Sequence, residues 1–440
     1  MDRRDLAGAV LAVAMLFGMA LDVESQQLPA NGNQPAPSQG ASAASPPQTL
    51  DDTIEAGDDE VAEPVRKLVN WNEFEGKRFA IRFGSGFLYE YAAYSQDNAS
   101  KEQFDLSPTP KLRDARLLFK GRFKFDRPVT WSSGIMWDAP TKKFLVRETG
   151  VMIAVPELSG HVFVGRTKEG FSLNKVMVGY AGWTMERSTI NDATIPILAD
   201  GIKFLGYAPA KHLIWNLGLY TDWLSEGQTF STYGRQAVGR IAWVPVVSEA
   251  TKTVLHLGIS LRVGKPDDGS IQLRSRPEAF PAPYFVDTGK FPAESTRMIE
   301  FETYYRPGPL LFGSEYFLQD ANAPKVGNPS FHGGDAVVSW LATGETRAYN
   351  TRGGFFDQIS PARPVFQGGP GAWELVARFS YIDLDSADIH GGRFWRFTPM
   401  VNWHISDNVR LELVYGYGSL NRFGVIGATQ FFQTRLQLQL

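Results

Sequence analysis

The chain has 440 residues, 43% of them apolar and 13% aromatic, with a formal charge of −3 and no cysteine. Its length admits two or three ordinary domains or one large β-barrel. The absence of thiols excludes disulfides. After the first 25 residues no stretch is apolar for long enough to cross a membrane as a helix, so a membrane form of this chain has to be a closed barrel.

The N-terminus reads as a targeting segment. Arg3 and Arg4 precede the apolar run Leu6 to Leu21, and Val23-Glu24-Ser25 offers a small-residue cleavage site, so residues 1–25 are expected to be a signal peptide. Residues 26–70 should form a disordered segment: first Gln, Pro, Ala and Ser without charge, then seven carboxylates between Asp51 and Glu63 with no base among them. Set apart from this leader, the body from Pro64 carries 42 bases against 36 acids. An acidic leader ahead of a mildly basic body points to anions as a substrate class.

From Trp71 onward the sequence alternates with period two. "RFAIRFGSGFLYEYAAY" sets Phe79, Ile81, Phe83, Phe87 and Tyr89 against Arg82, Gly84, Gly86 and Glu90. "RLLFKGRFKF" sets Leu117, Phe119, Phe123 and Phe125 against Arg116, Lys120, Arg122 and Lys124. That is the period of strands with one apolar face. Sixteen such runs can be placed, near 78–94, 112–125, 129–137, 144–155, 161–167, 202–207, 213–223, 236–246, 253–263, 297–306, 310–319, 333–343, 372–383, 393–405, 409–417 and 431–440. Most are of the length expected of tilted membrane strands. The last, "FFQTRLQLQL", alternates Gln and Arg with Phe and Leu, and is expected to close a barrel by pairing with the first.

Between the runs, short turns such as Asp126-Arg127-Pro128 and Pro307-Gly308-Pro309 mostly alternate with longer loops near 95–111, 168–201, 264–296, 320–332 and 418–430. Residues 344–371 break the rule, being long yet on the short-turn side. A soluble all-β sandwich or propeller would show the same alternation, with the apolar face as core. Tryptophans near strand ends (Trp131, Trp223, Trp340, Trp403) and the even strand count favour the barrel, with lipid outside and a polar lumen. The fold expected for 71–440 is therefore an all-β, antiparallel transmembrane β-barrel of about sixteen strands, with a loop folded into its lumen.

"HVFVGRTKEGFSLNKVMVGYAGWTMERS" (161–188) resembles the strand and inward-folding third loop of the phosphate-selective porin O and P family, where G-x-x-K-E-P-F-S-L-E is followed by M-E-R-S. "LATGETRAYNTRGGFFDQISPARP" (341–364) and "GAWELVARFSYIDLD" (371–385) are similar to its C-terminal half. The resemblance covers roughly residues 75–440. It implies a homotrimeric sixteen-stranded outer-membrane barrel, set among outer-membrane lipid by the barrel-assembly machinery, that passes phosphate or polyphosphate. Gly170 stands where the family has Pro, Asn174 where it has Glu, and Leu440 where outer-membrane proteins commonly end in Phe.

An anion path needs cationic donors spaced along a narrowed lumen. Arg116, Lys120, Arg122 and Lys124 share one face of the second run, with Arg82 as neighbour on the first. Arg166 and Lys168 share a face at the entry to the third loop, Lys168 in the place of the motif lysine, and Arg187 belongs to the Met-Glu-Arg-Ser that ends it. Acids also fall on inward faces (Glu90, Glu300, Glu302, Glu315, Glu374, Glu412), so Arg240, Arg262, Arg378, Arg410 and Arg435 are expected to brace the wall. For the 116–124 ladder the transport reading leads, because no acidic run lies on that strand.

The six histidines have no close metal-ligand spacing, and no nucleophile elbow or phosphate loop is present. No cofactor, metal, catalysis or nucleic-acid partner is expected. The expected function is an outer-membrane porin with a preference for small anions. Its rivals are a weakly selective porin, a porin for another anionic nutrient, or a secreted β-rich carbohydrate-binding or carbohydrate-active protein.

Overall fold

The computed structural model describes residues 72–440 apart from 128, 139–141 and 225–232. The expected signal peptide and the 26–70 leader lie outside the described residues.

Sixteen long strands follow one another: β1 Phe79–Gln96, β2 Thr109–Phe123, β3 Val129–Asp138, β4 Lys143–Val155, β5 Gly160–Thr167, β6 Ala199–Ala208, β7 Leu213–Thr221, β8 Tyr233–Ser248, β9 Thr253–Pro266, β10 Ser295–Pro307, β11 Leu310–Asn322, β12 Ser330–Leu341, β13 Ala372–Ser386, β14 Ile389–His404, β15 Val409–Arg422 and β16 Val425–Gln439. Each pairs antiparallel with the next, and β16 returns to β1 with Arg435 opposite Glu90 and Gln437 opposite Leu88. The barrel is closed, so its backbone donors and acceptors are paired without recourse to water.

All sixteen expected runs are strands, and several extend beyond their sequence bounds at the long-loop end. The stretch 418–430, expected to be a long loop, is instead the continuation of β15 and β16 around the two-residue turn Phe423-Gly424, whose φ angles are 53° and 79°. Two positive φ values make the type I′ turn that suits the twist of a hairpin. The expectation failed because small and polar residues interrupt the alternation here, although the inward side still packs, with Leu420 and Thr429 buried.

The final strand is shorter than β1. Leu440 and Ser85 exchange backbone hydrogen bonds, which leaves residues 79–84 of β1 bare on that side. A short strand, Glu73–Glu75, fills the gap, with Glu73 opposite Arg82 and Glu75 opposite Ala80. An open edge at the rim is thereby covered by the chain that precedes it.

The faces divide as the alternation requires. Phe83, Leu217, Ile241, Phe301, Phe379, Leu413 and Leu436 are exposed outward. Glu90, Arg240, Arg262, Glu302, Arg378, Asn402 and Arg435 point inward and are buried. They are buried because the lumen is not empty. Residues 168–198 and 267–294 fold in from the long-loop end, and residues 342–371 fold in from the opposite end. This last segment is the one that broke the loop rule: the short-turn end is elaborated. Its Arg347 donates to the Ala181 carbonyl at 2.6 Å and to Glu374 at 2.7 Å, while Phe356 packs against Trp183 and Tyr304. Against these insertions the inward wall also carries apolar residues (Ile214, Val244, Val254, Leu311), which corrects the expectation of a polar lumen. Those positions face packed protein, not water.

Phe379 lies in the middle of β13 on the lipid side. Phe379→Arg should destabilise the barrel by about 2–4 kcal/mol if it sits near the bilayer midplane. Urea unfolding in lipid vesicles measures this, and an unchanged midpoint would contradict the outward assignment.

Candidate functional site

The inward loop is held by carboxylates of the opposite wall. Its residue Ser172 adopts φ 62° and caps a one-turn helix, Leu173–Val176. The Ser172 hydroxyl donates to Glu315 at 2.7 Å, the Asn174 amide donates to Glu315 at 2.7 Å, and the Leu173 amide donates to Glu302. Tyr304 adds a hydroxyl donor to Glu315 at 2.9 Å. Glu302 also accepts from Arg240 at 2.9 Å. With Glu300, these two acids offer oxygens within 4.8 Å of one another, a spacing that would fit a cation. The groups aimed at Glu302 and Glu315 are amides, hydroxyls, a guanidinium and the His256 imidazole at 2.8 Å, so these two carboxylates serve as acceptors for the loop and the wall.

The family motif is accounted for residue by residue. Glu169 accepts from Gln236 at 2.9 Å and pairs with Arg262 at 3.4 Å, while Phe171 is buried beneath Arg262. A Cβ at Gly170 would collide with that of Asn216, which explains why proline is absent there. Asn174 in place of glutamate avoids one more acid beside Glu315. Lys168 and Arg187 both donate to the Met177 carbonyl, at 3.1 and 3.3 Å, and Arg187 also donates to Asn174 at 2.9 Å. The two cations that the motif suggested for the path therefore shape the loop, and both remain partly exposed. Lys175 joins them. Burial, then Arg187 and Lys168, draws its ammonium well below the ordinary lysine range. Burial opposes ionisation of Glu186, but Arg113 and Arg435 outweigh it and hold that carboxyl well below the usual range.

The ladder of β2 is real as geometry. Arg116 lies opposite Gly86, Lys120 opposite Arg82 and Arg122 opposite Ala80, all on the inward face. Arg82, Arg122 and Lys124 keep 38%, 35% and 33% of their side chains exposed, whereas Arg240 keeps 1%. The difference is one of height: the inward loops reach the upper parts of β1, β2 and β16, where Leu88 and Glu90 are buried and Arg116 lies under Tyr180, and only the lower end of the ladder stays partly exposed.

The ladder is not free of acids, contrary to the sequence argument. No run of acids lies on β2, but its single inward Asp114 does, and from the rim strand Glu73 pairs with Arg82 at 3.3 Å, and Glu75 pairs with Arg122 at 3.5 Å and with Lys124. Arg116 pairs with Asp114 and lies over the Tyr180 ring, 4.6 Å from its centroid. Arg166 does not join the ladder. In the alternation of β5 it shares the side of the lipid-facing Val164, and it is buried in a pair with Asp200 at 2.7 Å. Of the five arginines expected to brace the wall, Arg240, Arg410 and Arg435 pair with the wall acids Glu302, Glu412 and Glu90, whereas Arg262 and Arg378 pair with Glu169 and Glu278 of the inward loops.

Sequence reasoning missed the upper half of the ladder. A β-bulge at Arg113 shifts the register, so that Leu88 faces Asp114 but Tyr89 faces Leu112. One extra residue reverses the facing of the residues beyond it. Lys111 thus lies opposite the inward Glu90, and Arg113 turns in to Glu186 at 2.8 Å. Both cations lie over Phe280 of the 267–294 loop, 4.8 and 4.3 Å from its centroid, with Arg276 at 5.2 Å. No period-two signal could have placed them.

A closed barrel with an apolar belt outside and a charged, loop-narrowed passage inside defines an outer-membrane porin channel, and its place is the bacterial outer membrane. The sequence model of the family described as phosphate-selective porin O and P matches residues 81–440, and the chain belongs to that family. The fold is similar to OmpT of Vibrio cholerae (TM-score 0.54, 11% identity, 84% of this chain and 100% of that one) and to OmpF of Salmonella typhi (TM-score 0.53, 9% identity, 84% and 100%). It is also similar to the outer-membrane channel DcaP of Acinetobacter baumannii (TM-score 0.53, 8% identity, 83% and 99%). An uncharacterised protein of Caulobacter vibrioides is 29% identical over 271 residues, and the match spans 58% of this chain and about half of that relative, 53%. The reading as a secreted carbohydrate-binding protein is set aside by the family and the membrane barrel.

Glu315→Ala leaves three buried donors without their acceptor, at about 1–3 kcal/mol each. Amide hydrogen exchange across 172–176 should accelerate at least tenfold while the barrel strands stay protected. Unchanged exchange would mean that other contacts hold the loop.

Proposed function

We propose that this chain is a passive diffusion channel for small hydrophilic solutes that favours anions, phosphate and polyphosphate foremost, and that it works as a homotrimer without cofactor or bond chemistry. The observation that carries the anion preference is the track of inward bases along β2. It runs from Lys111 and Arg113 at the long-loop mouth, beside Phe280, through Arg116 and Lys120 to Arg122 and Lys124 at the other end, where the bases are most exposed. An anion entering over Phe280 meets successive donors along a single strand, so no single site has to bind it tightly. Arg82 adds a donor beside Lys120. Lys168 and Arg187, partly exposed where the loop narrows the passage, add positive potential there even though their hydrogen bonds go to the loop. Arg166 has no part in this path.

The trimer is supported by the family resemblance and by a structure of Vibrio cholerae OmpT in its trimer form, which has the same fold (TM-score 0.53, 10% identity, 83% of this chain and 100% of that one). Outer-membrane lipid and the barrel-assembly machinery are the partners that such a barrel requires.

A weakly selective porin is the second reading, favoured by the acids beside the ladder, since Glu73, Glu75, Asp114 and Glu186 offset part of its charge. Bilayer recordings in a KCl gradient separate the two. The anion reading expects a reversal potential of anion-selective sign and a fall in chloride current when phosphate is added. Lys120→Gln and Arg122→Gln should each lower the anion-to-cation permeability ratio by about fivefold or less, the equivalent of about 1 kcal/mol for a unit charge at 4 Å in water. A reversal potential of cation-selective sign without phosphate block overturns the preference, and a potential near zero supports the weakly selective channel.

A further inference from the structure

The outer wall carries a groove that ends under a pair of cations. On β8 the outward positions Ala237 and Gly239 lack large side chains. The flanking strands put Leu219 and Leu217 on one side and Val263 and Leu261 on the other, all exposed. A Cβ on Gly239 would meet nothing closer than a Leu217 methyl at 3.5 Å, so this floor is low because of sequence, not crowding. The upper part of the groove has a volume of about 710 Å³, with Ile202, Leu219, Ala237 and Val263 forming its apolar walls and Trp223 at its rim. One residue pair above Ala237 and Val263, on the same outward face, Arg235 stands directly opposite Lys265. Arg297 lies beside Val263 on the next strand, opposite Asp320.

Two like charges directly across a strand pair repel. Among the described residues neither Arg235 nor Lys265 has an ion pair or hydrogen bond to offset this. Arg297, one strand further on with Asp320 opposite it, is a third outward cation beside the groove. Arg235 and Lys265 lie at the end where the 168–198 and 267–294 loops emerge, the end that faces the exterior in bacterial barrels. An anion between them would relieve the repulsion, and an alkyl chain attached to it would run down a channel of the right chemistry. Two strand spacings make that channel about 10 Å across between its walls.

We propose that this groove holds one phosphate-bearing lipid of the outer leaflet, its headgroup between Arg235 and Lys265 and an acyl chain over Ala237 and Gly239. The occupant is lipid, not a second copy of the chain, because the walls are apolar while the closing pair is cationic. The outward acid near this height, Asp320, stands on β11, two strands away from Lys265.

Native mass spectrometry of the mature protein, delipidated in detergent and titrated with diphosphorylated lipid A, tests this. One lipid per barrel should bind at low stoichiometry. The double variant Arg235→Gln/Lys265→Gln should weaken that binding at least tenfold, and Ala237→Trp, which fills the floor and leaves the charges, should do the same. Dephosphorylated lipid A should bind to the wild type no better than lipid A binds to the double variant. Equal lipid A retention by wild type and both variants overturns the proposal. So does loss of the oligomer in the double variant with lipid retention intact, which would make the face a protein interface.

Discussion

Everything in this molecule follows from the cost of an unpaired backbone amide in hydrocarbon. Each such group is worth several kcal/mol, so a chain without membrane-crossing helices has to close its sheet. Closure fixes the pairing of β16 with β1, and that pairing fixes which side chains face in. Where the last strand runs short, six residues of β1 would be bare, and the Glu73–Glu75 strand covers them. The repair also delivers two carboxylates to the lower end of the basic ladder. A device that satisfies the backbone has therefore become part of the electrostatics of the passage.

The lumen is asymmetric for a related reason. A polar wall facing water needs no partner, but the inward loops bring their own amides and hydroxyls out of water and need acceptors. Glu302, Glu315 and Glu374 supply them on one half of the barrel, and the arginines there are committed to acids or to loop carbonyls. That half is effectively a folded core. On the other side Arg82, Arg122 and Lys124, at the lower end of the ladder, stay partly exposed. The division of labour between bracing and conducting arginines is thus a division between covered and uncovered wall.

Much of this was legible in the sequence. Period-two alternation located every long strand, and the pairing of inward Arg with inward Glu anticipated three of the five bracing contacts, while Arg262 and Arg378 hold loop acids instead. The failures share a cause. Alternation reports only where one face is forced to be apolar, so it faded toward the β15–β16 tip, where small and polar residues interrupt it although Leu420 and Thr429 stay buried. It also misdirected Arg166, whose strand side faces out although a pair with Asp200 buries it. Lys168 and Arg187 were found through the motif, but a motif preserves whatever the loop needs, and here much of that need is shape: both donate to the carbonyl of Met177.

The bulge at Arg113 shows how little it takes to write or erase a charge track. Nothing about Lys111 or Arg113 as residue types aims them at water. The single uncounted residue in β2 changes the phase of the strand, so a run of bases that composition alone would scatter between membrane and lumen becomes continuous on one side. A chain of the same composition with that residue moved to another position in β2 would send part of its positive charge into lipid. In this barrel the reach of the electrostatic field is a property of strand phase, and families of such channels can differ in what they pass while their inventories of charged residues stay the same.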